Sequence, residues 1–174
     1  MKTLLTVSIM LLVFSTAAVS QSPDWVRYAP EGKGFSILLP QTPKLEDSLQ
    51  PSGRAIHRSI SSDGEIKGSA FLATYWDFAS NTVFSLDKLR DSVAPDDPRQ
   101  IISESNISID GHAGREIQKW STVGGRDYRW QVRVYIIGQR VYMLQFVVPK
   151  ETDDSLIESK AAKFFDSFSI RSGN

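Results

Sequence analysis

The sequence contains no cysteine and only two histidines. Without a thiol the protein has no disulfide, no thiolate nucleophile and no lipid on an N-terminal cysteine. His57 and His112 stand in no His-x-His or His-Glu-x-x-His pattern, so the converging ligands of a zinc site are missing and no metal or cofactor is expected. An excess of charge is absent too: 20 basic residues balance 20 acidic ones, which removes any global pull toward nucleic acid or an anionic membrane. No apolar run approaches the roughly 20 residues needed to cross a hydrocarbon core, so no integral membrane segment is expected after processing.

What is present at the start of the chain addresses it for export. Met1-Lys2 carries a positive charge, Leu4–Phe14 is mostly apolar with Thr6 and Ser8 interrupting it, and Ala18 and Ser20 are small residues suited to a signal peptidase. This pattern predicts a signal peptide over 1–20, cleaved after Ser20, and a secreted or periplasmic product. Removing it takes away Lys2 and no acid, leaving one more acidic than basic side chain. Residues 21–174 hold no linker, repeat or low-complexity tract and read as one domain with its own core.

Turn residues divide that domain into strands. Trp25–Tyr28 and Phe35–Leu39 flank a Gly- and Pro-bearing turn, and Pro40 and Pro43 stop the second strand. Arg54–Ser61 and Glu65–Tyr75 read as a hairpin about Asp63-Gly64, and Leu86, Leu89 and Val93 recur at helical spacing before Pro95. The strongest signal is a four-strand meander over Ser103–Ile109, His112–Trp120, Asp127–Ile137 and Arg140–Val148, joined at Asp110-Gly111, Gly124-Gly125 and Gly138-Gln139. Those turns set the register: Glu116 opposite Arg133, Gln118 opposite Gln131, Trp120 opposite Arg129 and Tyr135 opposite Tyr142. One face then collects Trp130, Val132, Val134, Ile136, Val141, Met143 and Val147, while Tyr135, Tyr142, Leu144 and Phe146 on the other also need cover. Residues 153–165 supply it as a helix, with Ile157, Ala161, Phe164 and Phe165 on one stripe and Glu158, Lys160 and Lys163 facing water. Asp153 and Asp154 suit its N-terminus, and Ser155-x-x-Glu158 has the form of a capping box. The fold class is α+β, a mostly antiparallel β-sheet with helices packed on its faces.

Three segments carry a family resemblance: Gly34-Phe35-Ser36-Ile37-Leu38-Leu39-Pro40 with Pro43, Arg140-Val141-Tyr142-Met143-Leu144-Gln145-Phe146 leading to Pro149, and Ala162-Lys163-Phe164-Phe165-Asp166-Ser167-Phe168. With this order of elements the chain resembles the PsbP/Mog-type α/β/α sandwich superfamily, and especially its short exported bacterial members of uncharacterised function. The resemblance implies a non-enzymatic module that docks onto a larger protein or assembly. It transfers no functional residue, because the matching positions are framework.

The residues themselves offer one concentrated candidate. The second face of the meander gathers Glu116, Gln118, Trp120, Arg129, Gln131 and Arg133, a mixture enriched in interface hot spots, where arginine over Trp120 would add a cation–π contact. The same set also reads as ordinary cross-strand pairing, with Glu116–Arg133 a surface ion pair. Pro95–Arg99 is a second candidate contact surface by exposure, and Asp96-Asp97 lacks the acidic spacing of a calcium loop. Gly32-Lys33-Gly34 is a turn, Asn106-Ile107-Ser108 falls inside a strand, and Gly-x-Ser-x-Gly is absent. The expected function is an exported non-catalytic binding or accessory protein of the bacterial envelope, its partner an envelope or extracellular protein. The alternative is a small-ligand-binding protein or hydrolase with a site in a cleft between helix and sheet, marked by a pocket joining His57 or His112 to a buried carboxylate.

Overall fold

The computed structural model describes residues 24–49, 55–63, 65–79, 82–93 and 100–171. Along the chain run β1 (Val26–Tyr28), β2 (Phe35–Leu39), β3 (Lys44–Leu49), β4 (Ala55–Ser61), β5 (Ala70–Asp77), α1 (Leu86–Val93), β6 (Ile101–Ile109), β7 (His112–Val123), β8 (Arg126–Ile137), β9 (Arg140–Pro149), α2 (Asp154–Phe165) and β10 (Ser169–Ile170). Seven strands form one antiparallel sheet in the order β3-β4-β5-β9-β8-β7-β6, and β1-β2-β10 form a smaller one. The class is α+β, dominated by antiparallel sheet.

The meander has the register its turns dictate. Gly124 and Gly125 both take positive φ, 59° and 78°, the geometry that lets a two-residue turn follow the twist of its strands. Val123 therefore pairs with Arg126, and Glu116–Arg133, Gln118–Gln131 and Trp120–Arg129 fall opposite each other. Gly138, at φ 60°, does the same for β8 and β9, setting Tyr135 against Tyr142 and Val134 against Met143.

Side-chain alternation then sorts the apolar residues into two clusters. Leu144, Phe146, Tyr135 and Tyr142 join Phe35, Ile37 and Leu39 of β2 and Ile157, Phe164, Phe165 and Phe168 in and after α2. Ile117, Val132, Val134 and Val141 join Val93 and Leu89 of α1, with Trp76, Trp130 and Met143 packed alongside. Phe71 stacks on Phe146 at 4.3 Å and meets Phe164 edge-on at 5.2 Å, so the sheet and α2 interlock through aromatic rings.

Three expectations need correction. The second hairpin does not turn tightly at Asp63-Gly64, of which Gly64 lies outside the described residues: Ser61 pairs with Phe71, so β5 begins at Ala70 and a longer connection intervenes. Asp63 accepts the Glu65 N–H at 2.7 Å, the Ser69 N–H donates to the Ile66 carbonyl, and the Ile66 side chain is buried in the first cluster, which curls this segment inward instead of extending it. Lys160 does not face water. Its ammonium lies 3.1 Å from Asp63 and 2.6 Å from Glu65, so the same connection draws the lysine in. The N-cap of α2 is Asp153, whose carboxylate accepts the N–H groups of Ser155 and Leu156 at 2.9 and 3.2 Å; Ser155 is already helical and forms no capping box with Glu158. Strand β3 was not anticipated at all: every residue in it is exposed, and pairing with β4 alone defines it.

Candidate functional site

The register of β7 and β8 places Glu116, Gln118, Arg129, Gln131 and Arg133 on the face that α2 covers. There they line a cleft of about 240 Å³, and Glu158, Ala161, Ala162, Phe165 and Asp166 form its opposite wall. The helical wall was legible in part. Glu158, Ala161, Ala162 and Phe165 recur at three- and four-residue spacing, which puts them on one side of a helix.

Both arginines are anchored. Arg133 donates from Nε to Glu116 at 2.5 Å and from Nη1 to Asp166 at 3.2 Å, and its guanidinium lies 4.8 Å from the centre of the Phe165 ring. Burial works against its charge, but the bonds to Glu116 and Asp166 outweigh burial and hold it more firmly protonated than usual. Arg129 donates to Asp154 at 2.8 Å and to Gln118 at 3.0 Å. Gln131, between them, is only 7% exposed, yet no described residue hydrogen-bonds its side-chain amide. Glu158 on the helical wall is likewise unpaired among the described residues.

Trp120 is not part of this cleft. It borders a separate hollow with Thr122, Asp127 and Lys150, and the cation over its ring is Lys150, 5.4 Å from the centroid, not Arg129. The reason is that Asp154 and Gln118 hold the Arg129 guanidinium on the helix side. The Pro95–Arg99 loop lies outside the described residues.

A second cleft, of about 320 Å³, opens beside β3 and contains His57. The imidazole hydrogen-bonds Asp47 through Nδ1 and the Tyr28 hydroxyl through Nε2 at 2.9 Å, and stacks on Tyr75 at 5.0 Å. Arg140 sits 4.2 Å from the same Tyr75 ring and grips Asp77 with two bonds of 2.5 and 2.8 Å. Burial pushes the Tyr75 hydroxyl above its ordinary range. The Asp–His pair is the inverse of a hydrolase arrangement: the Asp47 side chain is 70% exposed, while Ser59, 3.5 Å from Nε2, is fully buried and out of reach of a substrate. Among the described residues, no group of three or more His, Asp or Glu is placed to hold a metal ion, and no helix is long and apolar enough to cross a membrane.

This architecture has solved counterparts. The solution structure of cyanobacterial PsbP (CyanoP) from Synechocystis sp. PCC 6803 matches with a TM-score of 0.55, covering 90% of this chain and 97% of that one at 13% sequence identity. The fold is PsbP-like. Two further matches are looser. A crystal structure from Bacteroides thetaiotaomicron VPI-5482 gives a TM-score of 0.49 at 14% identity, covering 84% of this chain and 48% of that one, so this chain spans about half its length. Protein PA94 of unknown function from Pseudomonas aeruginosa gives 0.48 at 14% identity, with 80% and 91% covered. No family model matches the chain, and no curated protein does. Likeness at such identity establishes the PsbP-like fold and leaves activity to the residues of the site.

Proposed function

We propose that this PsbP-like chain is an exported, non-catalytic binding or accessory protein of the bacterial envelope. Residues 1–20 act as its signal peptide, and 21–174 fold as a single α/β/α sandwich domain with one helix on each face of the large sheet. The observation that carries the reading is the cleft under α2. Arg129 and Arg133 are each fixed by two acceptors, a rigid polar surface with no activated nucleophile beside it. Prepositioned arginines of this kind suit recognition, since little side-chain entropy remains to be lost on binding. Trp120 and its hollow extend the same face.

Crosslinking and affinity capture from the native envelope test this, repeated with Trp120→Ala and Arg129→Ala. Loss of one reproducible partner in the variants supports the face; an unchanged partner list rejects it. N-terminal sequencing of the exported product checks the signal peptide, and an intact Met1 on membrane-embedded material would overturn export. The His57 cleft favours a second reading, the binding of a small ligand beside Tyr75 and Asp77. In that case His57→Ala abolishes ligand retention and leaves partner capture unchanged.

A further inference from the structure

The polar groups of the two clefts differ in one respect. Around His57 the imidazole nitrogens and the Asp77 carboxylate all have partners. Several buried polar atoms lack partners, Thr74 Oγ1 and Trp130 Nε1 elsewhere and the Nε of Arg129 at the cleft itself, but they are sealed from solvent, so no ligand reaches them. Gln131 is nine-tenths buried, lacks a partner, and opens into the cleft under α2. Its amide is not among the sealed atoms, so a bound group can reach it and hydrogen-bond it without first opening the fold.

We infer that this cleft receives one basic side chain, an arginine, from a protein partner. The inference rests on the docking reading above and adds the chemistry of what docks. Four carboxylates, on Glu116, Asp154, Glu158 and Asp166, surround two guanidinium groups, so the site carries an excess of negative charge. Arg133 and the two terminal nitrogens of Arg129 are already engaged and the Arg129 Nε is sealed from solvent, which leaves Glu158 as the accessible unpaired charge and the Gln131 amide as the accessible unpaired dipole. An incoming anion would meet Glu158 and would have to displace carboxylates from both arginines. A cation meets a free acceptor on each wall.

Size and apolar lining narrow the ligand further. A cavity of about 240 Å³ lies below the roughly 300–1,000 Å³ usual for small-molecule pockets and has room for one long side chain. Ala161, Ala162 and Phe165 offer the apolar wall along which a methylene stem lies while its head reaches polar groups. Arginine fits better than lysine, because its planar fork donates to Glu158 and to the Gln131 carbonyl together. The Gln131 NH₂ then remains free to donate to a main-chain carbonyl of the partner.

The test is a titration of the ¹⁵N-labelled protein with the capped peptide Gly-Gly-Arg-Gly-Gly, following the Gln131 side-chain amide and the Ala161 and Ala162 backbone amides. Saturable shifts at these three positions are expected, absent with Gly-Gly-Glu-Gly-Gly. Glu158 is an exposed helix residue, so Glu158→Gln leaves the fold intact, and it should weaken the arginine peptide about tenfold, the loss of one charge-assisted bond. Equal binding of the glutamate peptide, an unaltered affinity in Glu158→Gln, or no shift at millimolar arginine peptide overturns the inference. If capture stays sensitive to Arg129→Ala while the arginine peptide leaves Gln131 unmoved, this inference falls and the docking reading stands. If neither responds, both fall.

Discussion

Replacing Lys160 by methionine removes the ion cluster that ties α2 to the 62–69 connection. The lysine and Asp63 side chains are 11% and 3% exposed, with Nζ 3.1 Å from Asp63 Oδ2, an ion contact not aligned as a hydrogen bond. Glu65 is 48% exposed, and its share is about 0–1 kcal/mol. Asp63 matters more, because the substitution leaves a buried carboxylate without its counter-ion, and breaking such a pair costs about 3–5 kcal/mol. Methionine preserves the packing of the stem and Asp63 keeps the Glu65 N–H, which sets the expected loss near the lower end, about 3 kcal/mol. With a urea m-value of about 2 kcal/mol/M, the unfolding midpoint falls by about 1.5 M. Adding Asp63→Asn removes the stranded charge and should restore most of the loss.

The pH dependence has a defined sign. Burial disfavours the Lys160 ammonium, but the carboxylates of Glu65 and Asp63 beside it outweigh burial and raise its pKa above the ordinary lysine value. A raised folded-state pKa means the contribution is fully present below the unfolded lysine value, about 10.4, and is lost as pH rises through the folded one. The gap between the parent protein and Lys160→Met is therefore flat through neutral pH and closes in strong alkali. A midpoint change under about 0.3 M, or a double variant no more stable than the single one, refutes the reasoning.

Three further outcomes are expected. Gly114→Ala puts a Cβ 2.5 Å from Tyr135 Cδ1 and 2.6 Å from the Val134 carbonyl oxygen; overpacking of about 2 kcal/mol lowers Tm by on the order of 6 °C, and an unchanged melt would show that β7 and β8 lie farther apart. A double-mutant cycle on Glu116→Gln and Arg133→Gln should give a coupling of about 1 kcal/mol in chemical denaturation, because both side chains are only 25% exposed; zero coupling removes the ion pair from the site. Asp153→Ala should lower the stability of the protein where Ser155→Ala barely does. The Ser155 hydroxyl and the backbone N–H groups of Leu156 and Ser155 hold the Asp153 carboxyl below its usual pKa, so its contribution is present above the ordinary aspartate range and disappears as acid titration passes the lowered value.

The meander was readable because its turns leave few alternatives. Gly124-Gly125 and Gly138-Gln139 demand backbone geometry that fixes which residues face each other, and every cross-strand pair in the candidate site follows from that. Strand β3 was invisible for the opposite reason: Lys44-Leu45-Glu46-Asp47-Ser48-Leu49 has neither alternation nor β-branched residues, and only the free edge of β4 holds it extended. Distance in sequence hid the rest. Asp166 reaches Arg133, Lys160 reaches Asp63 and Tyr28 reaches His57 across separations that no local pattern encodes. The arginine expected over Trp120 shows the limit of register alone, since pairing placed Arg129 opposite the ring but Asp154 of α2 decided where its guanidinium went.

The small sheet has a consequence for the order in which the molecule can assemble. β2, near the beginning, is sandwiched between β1 and β10, with Ser36 bonded to Ser169 at 2.8 Å, the Leu38 N–H donating to the Ser167 hydroxyl at 2.8 Å and the Arg171 N–H donating to the Gly34 carbonyl at 2.9 Å. Phe35 and Phe168 meet in the same core. The layer that seals the first cluster thus waits for residues separated from it by most of the chain, a long loop closure that slows folding relative to a locally wired domain. An emerging polypeptide holds its early aromatic residues uncovered until the last strand arrives, and completion becomes a single late event.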